Sequence, residues 1–181
     1  MPRFVALLRG VNVGKGKRVP MAEFKAMLEG LGYTDVSTLL NSGNAVFTSA
    51  ARSQRKHEAS IAAALEETMA VTTPVIVKSA ADWSAVLSAS PIKPPEADHS
   101  RYLVAFAAAE EALLELKPLQ ELAQAPERFI VTEVAAFLHC PAGVLQSRLG
   151  EALLGKAGKR VTTRNCATVL KLSTQVGASV A

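Results

Sequence analysis

The sequence predicts an α+β fold of two tandem subdomains with ferredoxin-like, split β-α-β features. Three observations lead to this fold class: short apolar β-rich runs alternate with helical periodicity, a similar order of elements recurs in the second half, and a proline-rich stretch separates the halves. The predicted bounds are an N-terminal subdomain at 1–89, a linker at 90–97 and a C-terminal subdomain at 98–181. With 181 residues, 49% of them hydrophobic, the chain is long and apolar enough to bury a core.

The first half follows the order of a split β-α-β unit. Its predicted elements, taken from apolar periodicity and turn signals, are a strand at 4–8, a helix at 20–30, strands at 36–40 and 45–47, a helix at 53–70, a strand at 74–77 and a helix at 80–88. Pro20 suits the first position of its helix, and Ser53 suits an N-cap. The sequence Asn-Ser-Gly-Asn at 41–44 is the clearest hairpin signal, because Asn and Gly tolerate the positive φ of a tight turn.

The second half repeats much of this order after the linker, where prolines at 91, 94 and 95 oppose both helix and sheet. Its predicted elements are a strand at 102–107, a helix at 110–120, strands at 129–132 and 135–140, an irregular segment with helical turns at 142–154 and a helix from about 164 to 176. Thr162 and Thr163 are the candidate N-caps of the last helix.

Composition excludes several classes of protein. No apolar stretch reaches half of the roughly 20 residues that span a bilayer, and Arg9 interrupts the first one too early for a signal peptide, so we expect a cytoplasmic protein without membrane contact. The two cysteines, Cys140 and Cys166, form no disulfide framework. They and the three scattered histidines lack zinc-ligand spacing, and the sequence indicates neither a metal nor a cofactor.

Charge is distributed unevenly along the chain. The net charge is +4, yet residues 1–22 and 152–181 each carry five basic residues and no acidic one. Two basic ends therefore flank an acidic middle, and if the fold brings the ends together they form a positive surface for phosphate or another anion. The alternative explanation of the uneven charge is that these basic residues are solvated at the surface and serve solubility.

The basic loop at 11–20 is the first candidate anion site. A glycine-rich turn between a strand and a helix commonly holds phosphate through backbone N–H groups. The loop fails the P-loop pattern, which requires Gly at position 11 and Ser or Thr at position 18, where Val11 and Arg18 stand. It also fails the dinucleotide pattern at Val19, so only a generic anion site with mobile glycines and three cations is predicted.

Two further segments carry candidate ligand-binding residues. The hairpin tip offers Asn41, Ser42 and Asn44, for which turn chemistry alone is the alternative explanation. At the predicted start of the last helix, Arg164 and Asn165 accompany the backbone N–H groups that have no partner within the helix. This combination favours binding of a phosphate or a carboxylate, and an ordinary capped helix is the alternative explanation. The sequence contains no recognised catalytic motif. No predicted strand carries the row of Phe and Tyr residues on which RNA-recognition motifs stack bases, which disfavours that mode of binding.

The chain as a whole resembles a known bacterial family. The motifs that carry the resemblance are ALLRGVNVG at 6–14, PMAE at 20–23, NSGNAVF at 41–47, TRN at 163–165 and TVLKL at 168–172. In this combination and order the sequence is similar to the family known as domain of unknown function 1697. The resemblance implies an α+β fold of two subdomains with ferredoxin-like features and implies no established activity. The recurrent polar residues of the family correspond to Arg9, Asn12, Asn41, Ser42, Asn44, Arg164 and Asn165.

Three hypotheses of function follow. The first is a binding protein for a phosphate-bearing ligand, a nucleotide or a nucleic acid backbone, at a site where the loop at 11–20, the hairpin at 41–44 and the helix start at 163–166 converge. Its predicted ligand-binding residues are Arg9, Asn12, Lys15, Lys17, Arg18, Asn41, Ser42, Asn44, Arg164 and Asn165. The second is an enzyme acting on a small anionic metabolite, with no catalytic residue that the sequence can name. The third is a structural or protein-interaction module with no identified protein partner, in which these residues fix turns and internal ion pairs.

Overall fold

The computed structural model describes residues 1–179, which divide into two compact units. The first unit comprises residues 1–84 together with 172–179, and the second comprises residues 85–171. Within residues 1–179, none of the helices combines the length and the apolar composition that crossing a bilayer requires.

The first unit is built on a four-stranded sheet. Its elements in chain order are β1 (Arg3–Leu8), α1 (Met21–Gly30), β2 (Thr34–Leu39), β3 (Asn44–Thr48), α2 (Gln54–Met69) and β4 (Val75–Ser79). The sheet order is β2-β3-β1-β4, and every neighbouring pair is antiparallel. Strand β3 lies between β1 and β2 and is antiparallel to both, so β1 and β2 are parallel to each other. The sheet therefore has the split β-α-β arrangement that the order of elements predicts.

The central strand β1 explains why the first unit forms as it does. Residues 4–8 are all buried, which agrees with a continuous apolar run rather than the alternation of a half-exposed strand. Phe4, Ala6 and Leu8 belong to the hydrophobic core that also holds Phe24 and Leu28 of α1 and Ile61 and Leu65 of α2. Ser53 caps α2 as predicted, since its side chain accepts a hydrogen bond from the backbone N–H of Lys56 at 3.3 Å.

The second unit repeats this topology. Its strands and main helices are β5 (Tyr102–Ala107), α4 (Glu110–Leu114), β6 (Arg128–Val131), β7 (Ala136–His139), α5 (Arg148–Leu154) and β8 (Val161–Asn165). Short 3-10 segments lie at Glu96–Arg101, Lys117–Leu122 and Val144–Gln146. The sheet order β6-β7-β5-β8, again antiparallel throughout, matches the order of the first sheet strand for strand. One face of this sheet forms a core with α4 and α5.

Two helices belong partly to each unit. Helix α3 (Ala80–Ala89) follows β4, and its residues from 85 onward belong to the second unit. Helix α6 (Cys166–Val176) follows β8, and its residues from 172 onward belong to the first unit. The proline-rich segment at 90–97 falls within the second unit, while the subdomain bounds predicted from the sequence stay a prediction.

The helix predicted at 110–120 is wrong in its extent. Helix α4 ends at Leu114, and a 3-10 segment with Pro118 near its start follows from Lys117. Proline lacks the N–H that an α-helix needs at that point, and its ring collides with the preceding turn, so the helical periodicity continues only in the tighter form.

The start of the last helix is also corrected. Residues 161–165 form β8, so Arg164 is a strand residue that pairs with Val104 of β5, and neither Thr162 nor Thr163 is the N-cap. Helix α6 begins at Cys166, and Asn165 accepts a hydrogen bond from the backbone N–H of Thr168 at 2.9 Å, as an N-cap residue does. The β-branched run at 161–163 favours the strand, and only the pairing with β5 distinguishes it from a capping sequence.

Candidate functional site

The loop between β1 and α1 is closed by the side chain of Asn12. The backbone N–H of Asn12 donates to the carbonyl oxygen of Lys17 at 2.7 Å. The amide oxygen of Asn12 accepts from the N–H of Val19 at 2.9 Å, and its amide nitrogen donates to the carbonyl oxygen of Val19 at 2.8 Å. Val11 and Val19 are buried at the two ends of the loop, so both ends are anchored in the core while the residues between them extend toward solvent.

The loop is also joined to the hairpin between β2 and β3. The amide nitrogen of Asn12 makes a second donation, to the carbonyl oxygen of Asn41 at 2.7 Å, and the N–H of Leu8 donates to the carbonyl oxygen of Gly43 at 2.9 Å. Gly43 has φ of +78°, and a Cβ at this position would lie 2.6 Å from the Cβ of Leu8. The close approach of the two segments therefore requires glycine at position 43.

Asn44 holds the hairpin tip in shape. Its fully buried amide nitrogen donates to the carbonyl oxygen of Leu39 and to the hydroxyl oxygen of Ser42, each at 2.9 Å. Asn41 and Ser42 are exposed at the tip. The structure thus brings the predicted loop and the predicted hairpin together, and it uses the side chains of Asn12 and Asn44 to position them.

Three cations project from the basic loop. Lys15, Lys17 and Arg18 are all exposed, and Arg18 donates to the carbonyl oxygen of Gly14 at 3.3 Å. None of the salt bridges among residues 1–179 involves these three side chains. Arg9, which follows β1 at the base of the loop, is partly buried, and this burial lowers the pKa of its guanidinium. We call Lys15, Lys17 and Arg18 the loop cations.

Arg164 and Asn165 lie in the second unit, at the end of β8. Arg164 is only 8% exposed, and burial lowers the pKa of its guanidinium to about 10, so it still carries a charge at neutral pH. Its side chain donates to the hydroxyl oxygen of Thr162 and to the carbonyl oxygen of Thr163, both at 2.8 Å. The convergence of Arg164 and Asn165 with the loop and the hairpin of the first unit stays a prediction.

A buried histidine in the first unit has no free nitrogen for catalysis. The Nε2 atom of His57 lies 3.0 Å from the carbonyl oxygen of Ala51, which only accepts, so this nitrogen carries the proton. The Nδ1 atom therefore accepts from the hydroxyl of Tyr33 at 2.8 Å. Phe4 and Phe47 surround the imidazole ring. No group of three or more histidine, cysteine, aspartate or glutamate residues within the described part of the chain is arranged to hold a metal ion.

The second unit contains a cavity that the sequence analysis missed. Its volume is about 300 Å³, and its walls are mainly apolar. The lining residues extend from Val86 to Leu170, and none of the ten predicted site residues is among them. Contributions from two helices, two strands and the proline-rich segment leave no local pattern in the sequence, so only the fold identifies the cavity.

Comparisons with known proteins agree with the architecture. The model of the family described as protein of unknown function (DUF1697) matches residues 1–137. The chain is similar to the solved structure of a conserved bacterial protein from Streptococcus pneumoniae, with a TM-score of 0.79 and 23% identity over 97% of this chain and 98% of that one. At this identity the similarity demonstrates the fold alone. No curated protein matches the chain.

Proposed function

The chain belongs to the DUF1697 family of proteins of unknown function, and we propose that its basic loop binds a phosphate-bearing ligand. The observation that carries the proposal is the presence of the three loop cations, exposed and outside every salt bridge of the described residues, on a loop that Asn12 closes and fastens to the hairpin. Phosphate oxygens pair with lysine and arginine through charge-assisted hydrogen bonds.

The rigidity of the loop base supports this proposal on energetic grounds. Binding to a mobile loop costs conformational entropy, of the order of 1 kcal/mol for each residue that becomes ordered. The hydrogen bonds of Asn12 with Lys17, Val19 and Asn41 order much of the loop backbone before any ligand arrives. A ligand then immobilises mainly the long side chains of the loop cations.

The ligand class is a nucleotide or a nucleic acid backbone. Asn41 and Ser42 are exposed at the hairpin tip, which Asn12 joins to the loop, and both side chains are of the kind that forms neutral hydrogen bonds with a sugar or a phosphate. Arg9, partly buried at the base of the loop, adds a positive charge to the same segment. Arg164 is only 8% exposed and already donates to Thr162 and Thr163, so we assign the principal ligand contacts to the exposed loop cations.

The test is a salt titration of binding to a fluorescent single-stranded oligonucleotide and to ATP. In the variant K15Q/K17Q/R18Q, we expect oligonucleotide affinity to fall at least tenfold and the slope of log K against log salt to decrease by about 2, since each phosphate contact contributes roughly 0.7 for a single strand. The matched control is R52Q/R55Q/K56Q, which removes the same charge from three exposed residues of the first unit. The control is expected to bind nearly as the unchanged protein does.

Equal losses in the two variants would show attraction by overall charge and would contradict a site at the loop. An affinity of the unchanged protein that does not depend on salt would contradict the electrostatic basis of the proposal. If the protein binds the oligonucleotide but not ATP, the ligand is a nucleic acid backbone. If it binds ATP but not the oligonucleotide, the ligand is a nucleotide.

A structural role is the second candidate, because the amides of Asn12 and Asn44 donate to groups of the chain itself. In this case the loop cations serve solubility, and K15Q/K17Q/R18Q leaves every binding measurement unchanged while N12A lowers the stability of the fold. Thermal unfolding of both variants, recorded beside the titration, separates the two candidates.

A further inference from the structure

The cavity of the second unit is lined by four different parts of that unit. Its floor is the sheet face that carries Tyr102, Val104 and Phe137. One wall comes from the second-unit part of α3, and another from the first turns of α6, including Val169. The segment 90–94 forms the remaining wall. Such a cavity, mainly apolar and formed by converging elements, is the usual architecture of a small-molecule site.

The polar groups of the wall are satisfied by one another. The hydroxyl of Ser90 donates to the carbonyl oxygen of Ile92 at 2.8 Å, so it accepts from the hydroxyl of Tyr102, which lies 2.8 Å away. These bonds fasten the proline-rich segment over the sheet. Burial raises the pKa of the Cys166 thiol, which lines the cavity as a neutral, weakly polar group. The interior therefore offers mainly apolar contact.

The ionisable groups of the cavity lining other than thiol and phenol are basic. Lys93 belongs to the lining and is exposed, so the cavity meets solvent beside an ammonium group. His99 is the other basic residue of the lining, and among the described residues that line the cavity none is aspartate or glutamate. Asp98, the nearest acid in sequence, is engaged by Arg101 at 3.8 Å and by His139 at 3.2 Å.

We propose that this cavity binds a small amphipathic carboxylate, with an aromatic or branched apolar body inside and the carboxylate beside Lys93. The volume sets the size of the body: an apolar cavity of roughly 150 Å³ accommodates benzene, so a cavity of about 300 Å³ accommodates a phenyl ring with a short acid chain. This site shares no residue with the basic loop, so the proposal is independent of the phosphate ligand proposed above.

The test uses 3-phenylpropionate as the probe and the two cysteines as reporters. Cys166 lines the cavity and is partly exposed, whereas Cys140 is fully buried and serves as an internal control. At a probe concentration nine times its Kd, alkylation of Cys166 by iodoacetamide, followed by mass spectrometry, is expected to slow about tenfold because only a tenth of the sites remain empty. Alkylation of Cys140 is expected not to respond.

Isothermal titration calorimetry provides a second measurement that does not depend on thiol reactivity. We expect a Kd of roughly 10 µM to 1 mM for a ligand of this size. Neutral 3-phenylpropanol is expected to bind more weakly than the acid. K93Q should weaken binding of the acid about two- to fivefold, as loss of an exposed ion pair does, without affecting the alcohol. K117Q, which removes an exposed lysine of the second unit outside the cavity, is the matched control.

A filled cavity is expected to abolish binding. V169F places a ring in the cavity, and L170W, at a residue 42% exposed on the rim, is the alternative if circular dichroism shows that V169F is unfolded. No protection of Cys166 and no heat of binding at 10 mM probe would overturn the proposal. Equal binding of the acid and the alcohol, with K93Q unchanged, would overturn the assignment of a carboxylate. Retained binding in K15Q/K17Q/R18Q is expected whether or not the loop binds phosphate.

Discussion

The side-chain contacts of the predicted site residues distinguish asparagines that bond within the chain from cations that are exposed to solvent. The asparagines at 12, 44 and 165 direct hydrogen bonds to their own chain, where they close a loop, shape a hairpin and cap a helix. The loop cations have exposed side chains and form none of the salt bridges among residues 1–179. The sequence identifies asparagine as a turn residue, but it does not reveal the partner of an amide, since Asn12 and Asn41 are 29 positions apart.

The bond between Tyr33 and His57 gives a prediction at the same scale. Y33F removes the hydroxyl that donates to the Nδ1 atom of His57, in a site where both residues are buried, and we expect the free energy of unfolding to fall by about 1–3 kcal/mol. Urea denaturation, followed by the fluorescence of Trp83, measures the change.

A double-mutant cycle provides the control for Y33F. In Y33F/H57F both partners become apolar, so the combined loss is expected to be smaller than the sum of the losses in Y33F and H57F. Additive losses would show that the two side chains stabilise the protein independently of their hydrogen bond, contrary to the arrangement of the structure.

At the scale of elements, local signals predict the structure where local chemistry decides it. The hairpin at 41–44, the cap at Ser53 and the strand at 102–107 all follow from turn, capping and apolar patterns, and the structure contains each of them. Strand β8 cannot be predicted from local patterns, because its formation depends on pairing with β5, some 60 residues earlier in the sequence. The cavity cannot be predicted from them for the same reason, since its walls come from elements spread over the second unit.

The hairpin gives the prediction at this scale. G43A places a methyl group 2.6 Å from the Cβ of Leu8 at a φ of +78°, so strain and steric overlap act together, and we expect a loss of at least about 2 kcal/mol in the free energy of unfolding. G30A is the control: the added Cβ would meet no atom within 4 Å beyond the chain neighbours and the backbone of its own helix, so stability is expected to stay equal or to rise by up to about 1 kcal/mol. A G43A variant as stable as G30A would contradict the close approach of the hairpin to β1.

On the scale of the whole molecule, each unit has its own sheet of the same strand order, yet the first unit is discontinuous in sequence. Residues 172–179 belong to the unit formed by residues 1–84. Within that unit, the indole nitrogen of Trp83 donates to the hydroxyl oxygen of Ser173 at 2.8 Å, and Ser37 donates to the side chain of Gln175 at 3.4 Å. A proline-rich segment in the sequence suggests a boundary, but it cannot indicate that a later helix supplies residues to an earlier unit.

The end of α6 is therefore expected to stabilise the first unit, although nearly ninety residues separate it from the rest of that unit. L172A truncates a fully buried side chain there, and we expect the free energy of unfolding to fall by about 2–5 kcal/mol. L170A, two positions earlier on the same helix and 42% exposed, is the matched control, with an expected loss below about 1 kcal/mol. Trp83, the single tryptophan of the chain, lies buried in the first unit and reports its unfolding directly. A Trp83 transition at the same urea concentration in both variants would mean that the last helix contributes nothing to the first unit, and the division of the chain described above would then be wrong.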